Sequence, residues 1–392
     1  MTHSAPPSSD LNPLRIVLAG AIVLLVVHTL GRFIYTPLLP WLVQDGLIDV
    51  RQGATIASWN YLGYLIGALL AIRWHRMAQI RRTLPLGLLV HVLTTLLQTQ
   101  ADNPDTLALL RLLNGISNGV VFVQAPALIL EWLTWRKRAG LSGLTYLGVG
   151  SGLLVSSLLV SASADWLHGA ARWWPAALLS LPLAWWGWRQ LDRLHPPEPA
   201  EQTGTATRAL FDRSSTPLFL AYTGAGMGYI LPMTFLPMLA RLELPPGHVL
   251  LDGSWLIVAV VTIAAPLLWG AIGVRLGDRR ALLLNYAIQL AGVLAVLLMP
   301  GSTGILLCSL LVGITFLGTV LLTQRLGRSL QPHQGPRISA AMIALYSVMQ
   351  LAGPWLAGYW LAHGGTLAGS FWLSAGALAW GLLWTLAVPA KH

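Results

Sequence analysis

Two arginines lie inside stretches otherwise built to meet lipid. Arg32 falls in the run His28-Thr-Leu-Gly31-Arg32-Phe-Ile-Tyr35-Thr-Pro37-Leu-Leu-Pro40, and Arg111 in Arg111-Leu-Leu-Asn114-Gly115-Ile-Ser-Asn118. In hydrocarbon a guanidinium costs at least ~2.5–3.5 kcal/mol on the insertion scale, so such a group faces a partner or a water-filled cavity. All 14 acidic residues fall outside the apolar cores; Glu131 comes nearest, at the end of the fourth stretch. Neither arginine therefore has a deep carboxylate partner, and a buried cation without an opposite charge is costly. An anionic substrate, a carboxylate or phosphate, would supply that charge through charge-assisted hydrogen bonds. The alternative is that each arginine binds backbone carbonyls and locks helices together.

Other polar side chains join them at helical spacing. His28, Arg32 and Tyr35 are four and three residues apart, and Arg111, Asn114 and Asn118 three and four, so each set can share one helix face. Asn60 and Tyr64, Tyr146, Tyr222 and Tyr229, and Tyr346 and Gln350 complete the candidate binding residues. His28 is the candidate carrier of a coupling proton, because histidine titrates near neutral pH; His91 reads as structural. Trp59 and Trp269 are candidates for a cavity wall. No catalytic constellation is found. The ten histidines are scattered without metal-ligand spacing to an acid, Cys308 is alone, and no Walker-type phosphate loop occurs. No metal, cofactor or ATP-driven step is expected, and the chain is not read as an enzyme.

Membrane-crossing helices must position these residues. Of 392 residues, 55% are hydrophobic and 10% charged, with a mean hydropathy of +0.65; soluble domains carry about 25% charged residues. Twelve apolar stretches, from 14–40 to 367–389, have the length that spans ~30 Å of hydrocarbon as helix. The short alternating segments of a β-barrel do not occur. The expected fold class is an all-α membrane protein with twelve transmembrane helices in two six-helix bundles. Residues 1–13 read as a disordered N-terminal tail and 14–190 as the first bundle. Residues 191–215 read as a cytoplasmic linker, and 216–392 as the second bundle. The net charge of +10 does not indicate nucleic acid. Nineteen of the 24 basic residues fall on the side of the termini and linker, and only Arg51, Arg172 and Arg241 on the other. That is the positive-inside pattern, which places both termini in the cytoplasm at the cell (inner) membrane.

The halves repeat each other. Gly31–Pro40 aligns with Gly228–Pro237 at an offset of 197, Leu112–Ser117 with Leu310–Thr315 at 198, and Tyr146 with Tyr346 at 200. A near-constant offset of about half the chain, with six stretches per half, indicates parallel repeats related by an axis along the membrane normal.

Twelve stretches in two halves of six, a long central linker and short outer loops resemble the major facilitator superfamily. Within it, Gly31–Pro40 followed by Asn60-Tyr-Leu-Gly-Tyr-Leu-Ile-Gly67 is similar to the YbfB/YjiJ-type branch. Arg111 followed by Gly115 matches the superfamily's fourth-segment pattern. The resemblance implies the major facilitator fold and gating loops after the second and eighth segments. Here these hold Arg73 and Arg76, then Arg275, Gly277, Asp278 and Arg279. The acid that precedes this loop in relatives is replaced by Val274, and in the first half by Ala71 or Ile72. Organophosphate exchangers of the superfamily pair arginines in segments 1 and 7, where this chain has Arg32 and Tyr229.

The function expected is secondary active transport of a small, anionic organic solute by alternating access of two bundles, with protons as the candidate coupling ion. Export of drugs or hydrophobic compounds is the alternative; a receptor or scaffold that kept the fold and lost transport is the second. The expected partners are a small-molecule substrate, the lipid bilayer and protons, with no nucleic acid and a monomeric chain.

Overall fold

A chain crossing lipid must satisfy its backbone internally, and here each apolar stretch does so as a helix. The computed structural model describes residues 11–196, 211–299, 301–331 and 335–389. In chain order the helices are α1 Pro13–Gln44, α2 Val50–Arg73, α3 Met77–Leu97, α4 Pro104–Trp135, α5 Leu147–Ser163 and α6 Trp174–Leu191. The second half holds α7 Thr216–Glu243, α8 Leu250–Leu276, α9 Asp278–Leu298, α10 Ser302–Leu330, α11 Gly335–Ala362 and α12 Leu367–Leu386. A 3₁₀ turn, Ala139–Tyr146, leads into α5. Among the described residues eleven helices are long and apolar enough to cross a membrane. The twelfth, α6, carries four tryptophans that lower its hydropathy, yet it packs with α1 and α3 as part of the first bundle.

Residues 1–10 of the expected tail, 197–210 of the expected linker and 390–392 lie outside the described residues. Where the chain is described, its polar ends have built roles. Asn12 caps α1, its Oδ1 accepting from the Leu14 amide at 2.9 Å, and Pro13 occupies the first turn, where a missing N–H does no harm. Asp49 and Gln52 form a reciprocal capping box on α2.

Two features position the site. In the first bundle α2 and α4 lie in backbone contact: Gly63 and Gly67 face Gly115 and Gly119. A Cβ on any of the four would come within 2.0–2.4 Å of a main-chain oxygen of the facing helix. Small residues at this spacing let membrane helices approach closely. Between the bundles, α2 packs on α11 and α5 on α8. Since α8 repeats α2 and α11 repeats α5, the two contacts are mates about one axis. The part of α1 after Ile34 packs on α7. There Thr36 Oγ1 donates to the Met233 carbonyl at 2.6 Å, across the repeat offset of 197, as expected of positions beside that axis.

At the end away from the linker the bundles are fastened around Trp41. Its ring lies between the guanidinium groups of Arg172, at 4.6 Å, and Arg241, at 3.9 Å. Arg172 also grips Asp45 through Nε at 2.5 Å and Nη2 at 3.0 Å, and Arg241 pairs with Asp252 at 3.2 Å. Burial opposes ionisation of Asp45. Hydrogen bonds from Arg172 and the Gly169 amide, with the Arg172 charge, outweigh it and hold the carboxyl below its usual range.

Candidate functional site

The run around Arg32 departs from an ordinary helix. Leu25–Phe33 winds with the wider π spacing, the Ile34 amide bonding to the Thr29 carbonyl at 2.8 Å. Thr29 donates its hydroxyl to the Leu25 carbonyl. Pro37 has no N–H and leaves a carbonyl of the preceding turn without its helical partner. Short π segments inside α-helices recur at functional sites. His28 and Arg32 remain neighbours in this winding, both against Phe33 and Tyr64, while Tyr35 turns toward α2. Arg32 reaches the second bundle. The His28 ring stacks on Phe122 at 4.2 Å, with Nδ1 on Asn118 Oδ1 at 3.4 Å. Tyr35 donates to the Gly53 carbonyl at 3.0 Å.

Arg32 is 1% exposed. Its Nη2 donates to Gln350 Oε1 at 2.8 Å, while Nε and Nη1 are buried without a hydrogen-bond partner. Such orphaned donors are rare in folded proteins. The guanidinium lies 4.3 Å from the Tyr64 ring centre, 4.6 Å from Tyr61 and 5.3 Å from Phe33. Among the described residues no carboxylate pairs with it. Gln350 Nε2 donates onward to the Tyr229 hydroxyl. The Tyr229 ring stacks with Phe316 at 5.6 Å and Tyr346 at 5.4 Å, and Tyr346 stacks on Tyr222 at 4.7 Å. Tyr61 reaches Thr234 across the interface at 2.8 Å. Thr234 gives its own proton to the Ile230 carbonyl, so Tyr61 is the donor in that bond. Toward the linker side aromatic contacts continue from Tyr64 to Phe122 to Tyr146 in 6.1 Å steps, and Tyr146 is 40% exposed.

Arg111 is engaged differently. Its Nη1 donates to the Gly31 carbonyl and its Nη2 to the Arg32 carbonyl at 3.1 Å, the two main-chain oxygens at the end of the π segment. Its face lies 4.8 Å from Tyr35 and 5.6 Å from Trp173. Asn60 Nδ2 donates to the Arg111 carbonyl at 2.8 Å. Asn114 Nδ2 turns to the Thr94 and Thr95 hydroxyls of α3, at 3.1 and 3.0 Å, and His91 meets Ser117 at 3.1 Å. The structure therefore brings Arg32, Tyr64, Tyr229, Tyr346 and Gln350 together, and ties Arg111, Asn60 and Asn114 into the frame that holds the Arg32 turn. Tyr61 was not among the sequence candidates, although it lies three residues before Tyr64; Thr36 and Thr234 give no signal in an apolar run.

The remaining candidates lie elsewhere. Trp59 lines a groove of about 690 Å³ between α2 and α11 with Ser58, Trp355 and Tyr359, and Trp269 is buried with Nε1 on the Ile314 carbonyl at 2.7 Å. In the loop after α8, Gly277 adopts φ +82°, open to glycine without strain. Asp278 pairs with Arg325 at 3.2 Å, and Arg279 donates to the Leu386 carbonyl at 2.6 Å, closing the end of α12. Arg73, Arg76 and Arg275 are exposed.

Among the described residues, twelve long helices in two repeat-related sets of six, with a buried charge where the sets meet, form the architecture of the major facilitator superfamily. The chain belongs to the family described as "Uncharacterised MFS-type transporter YbfB", whose signature matches residues 24–386. It is 30% identical to a gallate transporter of Pseudomonas putida over 159 residues, 38% of this chain and 33% of that protein, so the match spans about a third of that relative's length. Among solved structures, the nucleoside transporter NupG, in a mutant form, is similar with a TM-score of 0.69 and 14% identity, over 95% of this chain and 99% of that one. A D-xylose-proton symporter is similar with a TM-score of 0.71 and 14% identity, over 95% and 96%. At such identity the likeness concerns the fold. The chain is a multi-pass membrane transporter and not an enzyme.

Proposed function

We propose that this transporter moves a small aromatic carboxylate, bound at Arg32 between the tyrosines of the two bundles. The observation that carries the reading is the buried Arg32 guanidinium, with two unpaired nitrogens and aromatic rings over it. A carboxylate offers two acceptors to that fork, and an aromatic body stacks favourably beside tyrosine rings. That a partly matching relative is a gallate transporter agrees with this class. In this reading Arg32, Tyr61, Tyr64, Tyr229 and Tyr346 meet the substrate, Gln350 occupies Arg32 beside them, and Tyr146 stands on the substrate's path. Arg111, Tyr35, Asn60, Asn114 and Asn118 act from behind, by holding the turn that carries Arg32 and the ring of His28.

Transport proceeds by rocking of the bundles, 14–190 and 216–392, about their common axis, with 191–215 as the tether. The linker side is the cytoplasmic face of the inner membrane, by the distribution of basic residues, and the chain works as a monomer. The loops holding Arg73 and Arg76, and Arg275 to Arg279, meet and part on that face. His28 carries the coupled proton: it lies on α1 with Arg32, and the other titratable groups facing it are Tyr64 and His91. His28→Gln is expected to leave uptake unresponsive to an imposed proton gradient, measured in proteoliposomes.

The test is counterflow with purified protein in proteoliposomes, using labelled gallate and benzoate against sugars, nucleosides and lipophilic cations. Exchange and competition confined to aromatic carboxylates is expected. Exchange of lipophilic cations instead would favour drug export, and absence of flux for every class would favour a receptor.

A further inference from the structure

We propose that Gln350 is an internal stand-in for the substrate's carboxylate, held between Arg32 and Tyr229 until an anion displaces it; this rests on the functional reading above. A carboxamide has the outline of a carboxylate, with one acceptor oxygen and an N–H donor in place of the other. Gln350 uses both ends: Oε1 accepts from Arg32 Nη2 at 2.8 Å, and Nε2 donates to the Tyr229 hydroxyl. Arg32 and Tyr229 are 197 residues apart, mates in the repeat. The amide thus bridges equivalent positions of α1 and α7, where the two bundles meet.

The amide fills only part of what Arg32 offers, since Nε and Nη1 keep no partner. A carboxylate brings two oxygens and a full negative charge, so it can pair with the guanidinium fork bidentately where the amide offers one neutral oxygen. An arriving anion therefore displaces the amide, at an apparent affinity reduced by the amide's own hold on the site. Tyr229 then turns its hydroxyl from acceptor to donor. After substrate release the amide returns to Arg32, so the unloaded carrier moves back without an unpartnered cation.

Gallate binding measured by calorimetry, and gallate exchange and net uptake in proteoliposomes, test this on wild type, Gln350→Ala and Gln350→Glu. Gln350→Ala is expected to bind gallate more tightly by roughly tenfold or more, since one hydrogen bond from the Arg32 cation no longer competes. It should keep exchange but slow net uptake, which needs the unloaded return. Gln350→Glu, fixed to Arg32 as an ion pair, should lose gallate binding while its melting temperature holds or rises. Gln350→Met keeps the volume and carries the first expectation should Gln350→Ala not fold. A wild type that binds gallate beside a Gln350→Ala or Gln350→Met variant that binds it more weakly overturns the stand-in and leaves the functional reading standing. A wild type that binds neither gallate nor any benzoate overturns that reading, and the stand-in with it.

Discussion

The two intramembrane arginines differ in what their neighbours leave unfilled. Arg111 gives protons from both terminal nitrogens to the Gly31 and Arg32 carbonyls and leaves only Nε unpartnered, whereas Arg32 keeps Nε and Nη1 unpartnered among aromatic rings. Arg111→Gln is therefore expected to destabilise the protein by about 2–4 kcal/mol, through buried carbonyls left without a donor, seen as a lower melting temperature in detergent. Arg32→Gln should melt near the wild type and lose substrate. Sequence reasoning marked both arginines by one argument, the missing acidic partner, and could not separate them. A guanidinium bonded to main-chain carbonyls leaves no trace in composition, because every residue carries such an oxygen.

At the scale of elements, the site depends on how closely α2 approaches α4 and on the widened turn of α1. Gly67→Ala would place a methyl group 2.0 Å from the Ile116 carbonyl, whereas Gly376→Ala meets nothing within 4 Å. The first is expected to lower stability by roughly 1–3 kcal/mol or more, as overpacking does, and the second to be neutral; thermal unfolding of both in one detergent checks the contrast. The spans were legible because twenty apolar residues in a row admit few other structures. Helix ends were less so: α10 continues through Gln324, Arg325 and Arg328 to Leu330, since a helix can leave the membrane without ending. The π segment was not legible at all. Its residues are ordinary helix formers, and only Thr29, Gly31 and Pro37 in their tertiary setting reveal it.

For the whole molecule, the repeat offset implied an axis relating the two halves, and Thr36 and Met233 meet across that offset at 2.6 Å. It could not tell which end is fastened. The Asp45–Arg172–Trp41–Arg241–Asp252 chain does so on the side away from the linker, built from two of the few basic residues found there. Because the Asp45 carboxyl titrates below its ordinary value, its contribution to stability is present above the usual carboxylate range and is lost as pH falls below it. Asp45→Asn should thus lower the melting temperature at neutral pH, and the gap from wild type should close below about pH 4. Trp41→Ala should loosen the same end, raising the labelling rate of a single cysteine placed there.

Substrate recognition by this transporter turns on Arg32 meeting a negative charge. The direct measurement is calorimetric binding of gallate and of its uncharged methyl ester to purified wild type and Arg32→Gln. The prediction is that wild type prefers gallate by about tenfold or more and that the preference disappears in Arg32→Gln. Equal affinities in the wild type, or an intact preference in the variant, would contradict it.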